Sequence, residues 1–475
     1  MSRDRSGRKA IIIAVTLLLV AAAATAALLF WPRIGSRTAI SSSISSVVAA
    51  PTVDAVDPPV TAPVGRIKPV TVAAGRVPTP AGVARALQPA LADPGLSRYT
   101  GVVIDAATGK VLWNKDSAAA SQPASTTKLL TGAALLTKVD PASRFTTKVL
   151  QGAQAGDLIL VGGGDVTLSA RSAGVTTVYP GAPTVADLAA QVKASGYQVQ
   201  RILVDTGYWS GAEMADGWDM ADIQSGFTTK MQALMVDGDR KDPSKEDSPR
   251  IGTPAVTAGR ALARALGDPN LPVSAGTGTK TAKVLATVQS QPMSVLLSQA
   301  MLNSDNVLAE ALARQVALAA GAPGSFDGAS QAIKFALSDL GLDTIGLVLA
   351  DGSGLSHSDR APTALLAAVL RLAVSGKVPA LRGLLSGLPV AGVSGTLSRA
   401  ENRFLTPKSR AGIGWVRAKT GTVDFTYALV GYVPDVDGRL LVFALNSNGV
   451  FSSGPHPTRP AQDYFAAVLR TCGCS

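Results

Sequence analysis

Histidine and cysteine are almost missing from these 475 residues: only His357, His456, Cys472 and Cys474 occur. So few imidazoles and thiols exclude histidine-rich and four-cysteine metal centres, leaving only a carboxylate-only site open. A Ser-His-Asp triad would have to rest on one of two histidines, neither inside a nucleophile motif. A hydrolase built from this chain therefore needs another base. Aromatic residues stand at 5%, and the basic residues are scattered, which argues against a nucleic-acid-binding surface. Cys472-Gly473-Cys474 forms a terminal pair, readable as a disulfide in an oxidising compartment or as free thiols.

Apolar residues, by contrast, make up 47% of the chain, enough for a large core. The length suggests two or three units. Net charge is +11, and five basic residues against one acidic fall within the first 33 positions. What remains reads as mild attraction to an anionic envelope.

Arg3, Arg5, Arg8 and Lys9 precede an apolar run from Ala10 to Trp31. A bilayer core needs about 20 residues of helix, so the run is long enough to span. The flanking charge places the N-terminus in the cytoplasm and exports the rest. A cleaved signal peptide is the competing reading, because Ala24-Thr25-Ala26 offers small residues. Length favours the anchor. Either way the working part lies in the cell envelope, held in the anchored case to the outer face of the plasma membrane by residues 10–31.

Residues 32–80 are Ser-, Val- and Pro-rich without period and read as a linker. A short helix from Val83 to Gln88 is expected to stop at Pro89. Val102 to Asp105 and Val111 to Trp113 flank a turn, a hairpin signal. Three more strand-like runs lie near the end, at 415–422, 427–433 and 440–446. Helical patterns fill 128–138, 307–320 and 361–375. Strands at both ends with helices between predict an α+β catalytic domain from 81–143 and 286–475. Residues 144–285 differ, with short strands at 158–161 and 202–204 and a charged loop at 237–250, and read as an inserted domain.

Three motifs follow one another in order. Ser125-Thr126-Thr127-Lys128 opens a helix, so serine and lysine share one face. Ser304-Asp305-Asn306 precedes a second helix, where by itself it would be an ordinary cap. Lys419-Thr420-Gly421-Thr422 sits in a strand, where alone it would mark a glycine bulge. Each is weak singly. Together they are the Ser-x-x-Lys, Ser-Asp-Asn and Lys-Thr-Gly signature of β-lactamases and penicillin-binding proteins. The glycines 162–164 lack a following Gly-Lys-Ser/Thr and read as a turn.

Over residues 80–470 the chain resembles the D-alanyl-D-alanine carboxypeptidase/endopeptidase family, the class C (DacB-like) penicillin-binding proteins. Further segments carry the likeness: Gly156 to Asp165, Gly217-Trp218, Asp351-Gly352-Ser353-Gly354-Leu355-Ser356 and Ser394-Gly395-Thr396-Leu397. The resemblance implies a penicillin-binding/β-lactamase-like transpeptidase domain, an antiparallel sheet with helices, plus a smaller insertion. It implies hydrolysis of peptidoglycan peptides ending in D-Ala-D-Ala through an acyl-enzyme, with β-lactam antibiotics as inhibitors and no cofactor.

In that scheme Ser125 is the nucleophile, and Lys128 its base, with a pKa lowered by burial and by Lys419. Ser304 relays a proton to the leaving amine. Asn306 binds the substrate amide, and Lys419, Thr420 and Thr422 receive the carboxylate. The N–H groups of Ser125 and Thr422 form the oxyanion hole. Asp222, in Gly217-Trp218-Asp219-Met220-Ala221-Asp222, is the counterpart of an acid that meets the amino end of a diaminopimelate side chain. Where the family commonly has an arginine for that side chain's carboxylate, this chain has His357, with Arg360 three residues on. The insertion also looks short for the family.

Two other classes share the motifs. A β-lactamase would lack room for an insertion, yet Ser125 and Ser304 lie 179 positions apart, and no deacylating glutamate motif is evident. A non-catalytic envelope-binding relative would not need all three motifs intact.

Overall fold

The computed structural model describes residues 75–172, 174–449 and 457–474. The expected basic tail and apolar run, and nearly all of the linker, lie outside them. Among the described residues no single helix is long and apolar enough to cross a membrane.

Strands β1 (Arg98–Asp105), β2 (Val111–Lys115) and β3 (Ala120–Ser121) precede the first motif. The insertion carries β4 (Thr146–Gln151), β5 (Asp157–Val161), β6 (Arg201–Asp205), β7 (Val273–Ala275) and β8 (Val284–Gln289). After it come β9 (Ala361–Pro362), β10 (Arg417–Val423), β11 (Thr426–Pro434) and β12 (Leu440–Asn448).

The main sheet has the order β10-β11-β12-β1-β2 and is antiparallel throughout. Pairing of β1 with β12 joins the two ends of the chain, from Arg98 opposite Asn448 to Asp105 opposite Leu441. Strand β12 is central and covered on both faces. Its Leu440, Val442 and Ala444 point into one core, and Leu441, Phe443 and Leu445 into another, following the two-residue period of a strand. The first core lies under the helices Lys128–Lys138, Asn306–Ala319, Phe326–Asp339 and Thr363–Ser375. The second, outer core lies under the helices Pro80–Leu91 and Thr458–Thr471. A sheet sandwiched between helical layers is thus built from segments more than 300 residues apart in sequence.

Pro89 does not end the first helix, which runs on to Leu91. Proline removes one N–H, and here the loss falls in the last turn, where Ala92 N–H still reaches Gln88 O at 3.1 Å. Cys472 and Cys474 are bonded as a disulfide.

The inserted sheet has the order β7-β6-β5-β4-β8, parallel from β7 to β5 and antiparallel beyond. Its own core includes Leu158, Leu160, Ile202, Val204, Leu188 and Leu262, beneath the helices Val185–Ala194 and Pro254–Leu266. Because β8 pairs with β4, this sheet extends to Gln289, past the expected boundary at 285.

Phe443 is fully buried and meets Phe465 of the last helix edge-on, with ring centroids 6.1 Å apart. Phe443→Ala is expected to destabilise the fold by about 3–5 kcal/mol. Urea unfolding should show this as a lowered midpoint with an unchanged slope.

Candidate active site

The sequence places Ser125 at the junction of two local structures. Ala124–Thr127 is a tight 3₁₀ turn that passes into the helix Lys128–Lys138. Ala124 takes a left-handed φ of 48°, and Gly354 lies against its carbonyl so closely that a Cβ there would overlap it. That close approach accounts for a glycine at the end of Asp351-Gly352-Ser353-Gly354.

Lys128 is 1% exposed. Its Nζ lies 2.9 Å from Ser125 Oγ, 2.7 Å from Asn306 Oδ1 and 2.8 Å from Ser353 O. The amide oxygen and the carbonyl only accept, so each takes an N–H proton. In the neutral amine these two bonds leave the lone pair for the serine hydroxyl. Burial drives the Lys128 pKa down, and Asp351, Asp305, Glu310 and Asp359 push it back, for a result of about 8. The expected like-charge effect falls instead on Lys419, which burial and then the Lys128 charge hold well below the ordinary lysine value.

Ser304 has a left-handed φ of 60°, a strained backbone of the kind that gathers at functional sites. Its Oγ lies 2.9 Å from Lys419 Nζ, which also donates to Thr420 O at 2.8 Å. Asn306 begins the helix Asn306–Ala319, and its Nδ2 donates to Phe227 O at 3.0 Å. Lys419, Thr420 and Thr422 stand on β10, the edge of the main sheet. Ala418 N–H donates to Pro389 O, away from β11. Strand alternation therefore turns the N–H of Thr422 to the same open side. Thr420 Oγ1 meets Thr396 Oγ1 at 2.7 Å.

Two buried carboxylates brace this arrangement. Asp305 caps its helix by accepting from Leu308 N–H. Its other oxygen accepts from Arg240 Nη2 at 2.9 Å and Tyr179 Oη at 2.7 Å. Burial opposes its charge, but Arg240 and Arg250 outweigh that and hold the carboxyl well below the usual range. Asp351 accepts N–H bonds from Ser353, Gly354 and Ser356, and the Trp218 indole N–H at 2.7 Å. It thereby fixes the turn whose Ser353 carbonyl faces Lys128. Arg240, Tyr179 and Trp218 all come from the inserted segment.

Ser125, Ser304, Asn306, Thr420, Thr422, Asp222 and His357 line one cleft of about 730 Å³. Asp222 is half-buried, and burial pushes its carboxyl up against a hydrogen bond from Asp219 N–H. His357 Nδ1 is 3.2 Å from Gln122 Nε2. Arg360 does not face the cleft, because its guanidinium donates to the carbonyls of His357 and Asp359, both at 2.7 Å.

Residues 83–249 and 243–469 match the D-Ala-D-Ala carboxypeptidase 3 (S13) family. The chain belongs to this family. It is 46% identical over 429 residues to carboxypeptidase DacB of Mycolicibacterium smegmatis, covering 90% of this chain and 91% of that one. It is 30% identical over 468 residues to the D-alanyl-D-alanine carboxypeptidase of Actinomadura sp. (strain R39), covering 80% and 82%. The fold is similar to that of penicillin binding protein 4 (dacB) of Haemophilus influenzae, at a TM-score of 0.66 and 21% identity, covering 82% of this chain and 98% of that one. That Haemophilus protein has also been solved in complex with a novel β-lactam.

Sequence reasoning did not assign roles to Thr396, Ser353, Asp351 or Trp218, although each stands in a segment that carries the family likeness. Arg240 and Tyr179 had no local signal, since their partner Asp305 is 65 and 126 positions away.

A base must be neutral to accept a proton, so if Lys128 is the base, acylation by a penicillin should quicken as pH rises through about 8 and then level off. Stopped-flow trapping across pH 6–10 (roughly the range bracketing that value) measures this. Arg240→Met removes the ion-pair partner of the buried Asp305 and is expected to cost about 3–5 kcal/mol of stability, read by chemical unfolding.

Proposed function

We propose that this S13 peptidase cleaves peptidoglycan peptides after a D-alanine, with Ser125 as nucleophile and Lys128 as its base. The observation that carries the reading is the Lys128 amine, held by two acceptors so that its remaining position meets the Ser125 hydroxyl.

Lys128 takes the Ser125 proton as Oγ attacks the carbonyl of the penultimate D-alanine. The N–H groups of Ser125 and Thr422 receive the developing oxyanion, where loss of one donor typically costs about 2.7–4 kcal/mol. Ser304, bonded to Lys419, passes a proton to the departing amine. The amine leaves, and the acyl group stays on Ser125 as an ester until water releases it. Lys419, Thr420 and Thr422 hold the terminal carboxylate, and Asn306 bonds the substrate amide while it orients Lys128. Asp222 and His357 border the side where the third stem residue would lie. With Arg360 turned away, Asp222 stands there with Asp219 and Asp424 close enough to act on it, an acidic setting that suits an amino group better than a carboxylate.

β-Lactams enter the same path and stall as the acyl-enzyme. The Haemophilus relative crystallised with such a compound supports that expectation. We also propose that residues 10–31 anchor the protein to the outer face of the plasma membrane. The basic cluster before that apolar run and a substrate found in the cell wall support it. Membrane fractionation of the full chain against one lacking residues 1–31 tests the anchor, which predicts release of the shortened form.

Ser125→Ala should abolish covalent labelling by a fluorescent penicillin, and labelling that persists would overturn the assignment. D-Alanine release from a pentapeptide, followed by mass analysis, should disappear in the same variant. Lys128→Met should slow acylation by about 10²–10⁴-fold, the contribution of a positioned base.

A further inference from the structure

The edge strand divides the cleft between two faces. Lys419 points toward Ser304. Ala418, one residue before it, packs in the outer core with Leu429 and Val416. By alternation Thr420 and Thr422 share the outer face with Ala418. Tyr427 stands directly opposite Thr422 on β11, and paired residues of an antiparallel ladder present their side chains to one face. Arg459, in the first turn of the helix Thr458–Thr471, lies over Tyr427 with its guanidinium carbon 6.0 Å from the ring centroid. Both residues line the catalytic cleft. Asp222 stands instead on the short helix Ala221–Ser225 of the inserted segment and His357 on the loop that meets it, where Ser356 Oγ and His357 N–H donate to the carbonyls of Asp216 and Gly217.

Two arginines reach the outer corner, and they differ. Arg403 is spent on Asp463, with Nε at 3.0 Å and Nη2 at 2.6 Å from Oδ1. Arg459 makes no hydrogen bond or ion pair among the described residues, and its Nε is buried without a partner. Glu401 and Asp463 are close enough to act on it electrostatically, yet neither bonds it. Asp424 lines the same cleft from the hairpin tip. A half-buried guanidinium whose Nε–H has no partner gains from a planar, two-oxygen acceptor.

We propose that Arg459, placed beside the Tyr427 ring, is a second anion subsite that receives a carboxylate of a cross-linked leaving peptide. This rests on the proposed reading in which Lys419, Thr420 and Thr422 take the carboxylate nearest the broken bond. Free D-alanine has one carboxylate, fully met there, and nothing of it extends to Arg459. A diamino acid that leaves as part of a second stem carries acid groups and chain beyond that point. Its amine departs with the proton, as in carboxypeptidase action, and only the leaving group's length differs. Arg459 therefore favours cutting between two stems over trimming a free end.

The test compares Arg459→Gln and Arg459→Lys with the unaltered full chain on three probes: a purified cross-linked muropeptide dimer, an uncross-linked pentapeptide and a fluorescent penicillin. For Arg459→Gln, kcat/KM on the dimer should fall about tenfold or more, mainly through KM, as expected for a lost charge-assisted contact. Arg459→Lys should recover much of it. Pentapeptide hydrolysis and penicillin acylation should stay within about twofold, which also shows that the variant is folded. An unchanged dimer rate, an equal loss on dimer and pentapeptide, or no dimer cleavage by the unaltered chain would overturn the subsite. Failure of the catalytic reading itself shows separately, as penicillin labelling that survives Ser125→Ala.

Discussion

Lys128 is held where an ammonium ion is expensive. Removed from water, it must find acceptors in the protein, and the fold supplies them from distant places: Asn306 from the start of one helix, Ser353 from a glycine turn. Each acceptor needs its own support. Asp305 caps the helix of Asn306 and is gripped by Arg240 and Tyr179. Asp351 gathers the amides of the turn and is gripped by Trp218. The same acids that brace these acceptors also raise the lysine pKa against the effect of burial. Architecture and basicity are therefore set by one group of charges.

The inserted segment takes on a structural meaning from this. It is a separate sheet with a separate core, yet three of its side chains reach the two carboxylates behind Asn306 and Ser353. Glu310 belongs to the same buried set: burial and then Asp351 raise its carboxyl to about 7, while Arg314 opposes. Charges of both signs, closed off from solvent, make this region sensitive to the removal of any one member.

Much of this was legible in the sequence because the chemistry lies in short motifs with fixed spacing. Ser125 and Lys128 are three positions apart, so a helix start brings them together without tertiary help. The strand-like run at 440–446 and the turn between β1 and β2 were likewise legible from local sequence. What was not legible depends on long-range contact. Nothing near Arg240 announces Asp305, and Arg360 looked available for a ligand until its guanidinium was found folded onto His357 and Asp359 carbonyls. Lys419 was expected to depress Lys128, but the acidic neighbours that oppose burial could be found only in three dimensions. Pro89 misled because a local rule about helix interiors was applied to a final turn.

The described ends of the fold meet. Thr79 N–H donates to Cys474 O at 2.8 Å, and Gly82 packs against the same carbonyl. Both termini of the catalytic unit therefore emerge at one spot on the outer helical pair. Just upstream, Gly75 packs on Asp437 in the turn between β11 and β12, so a pull arriving through residue 75 would be shared between the helical pair and the end of the sheet away from Thr422.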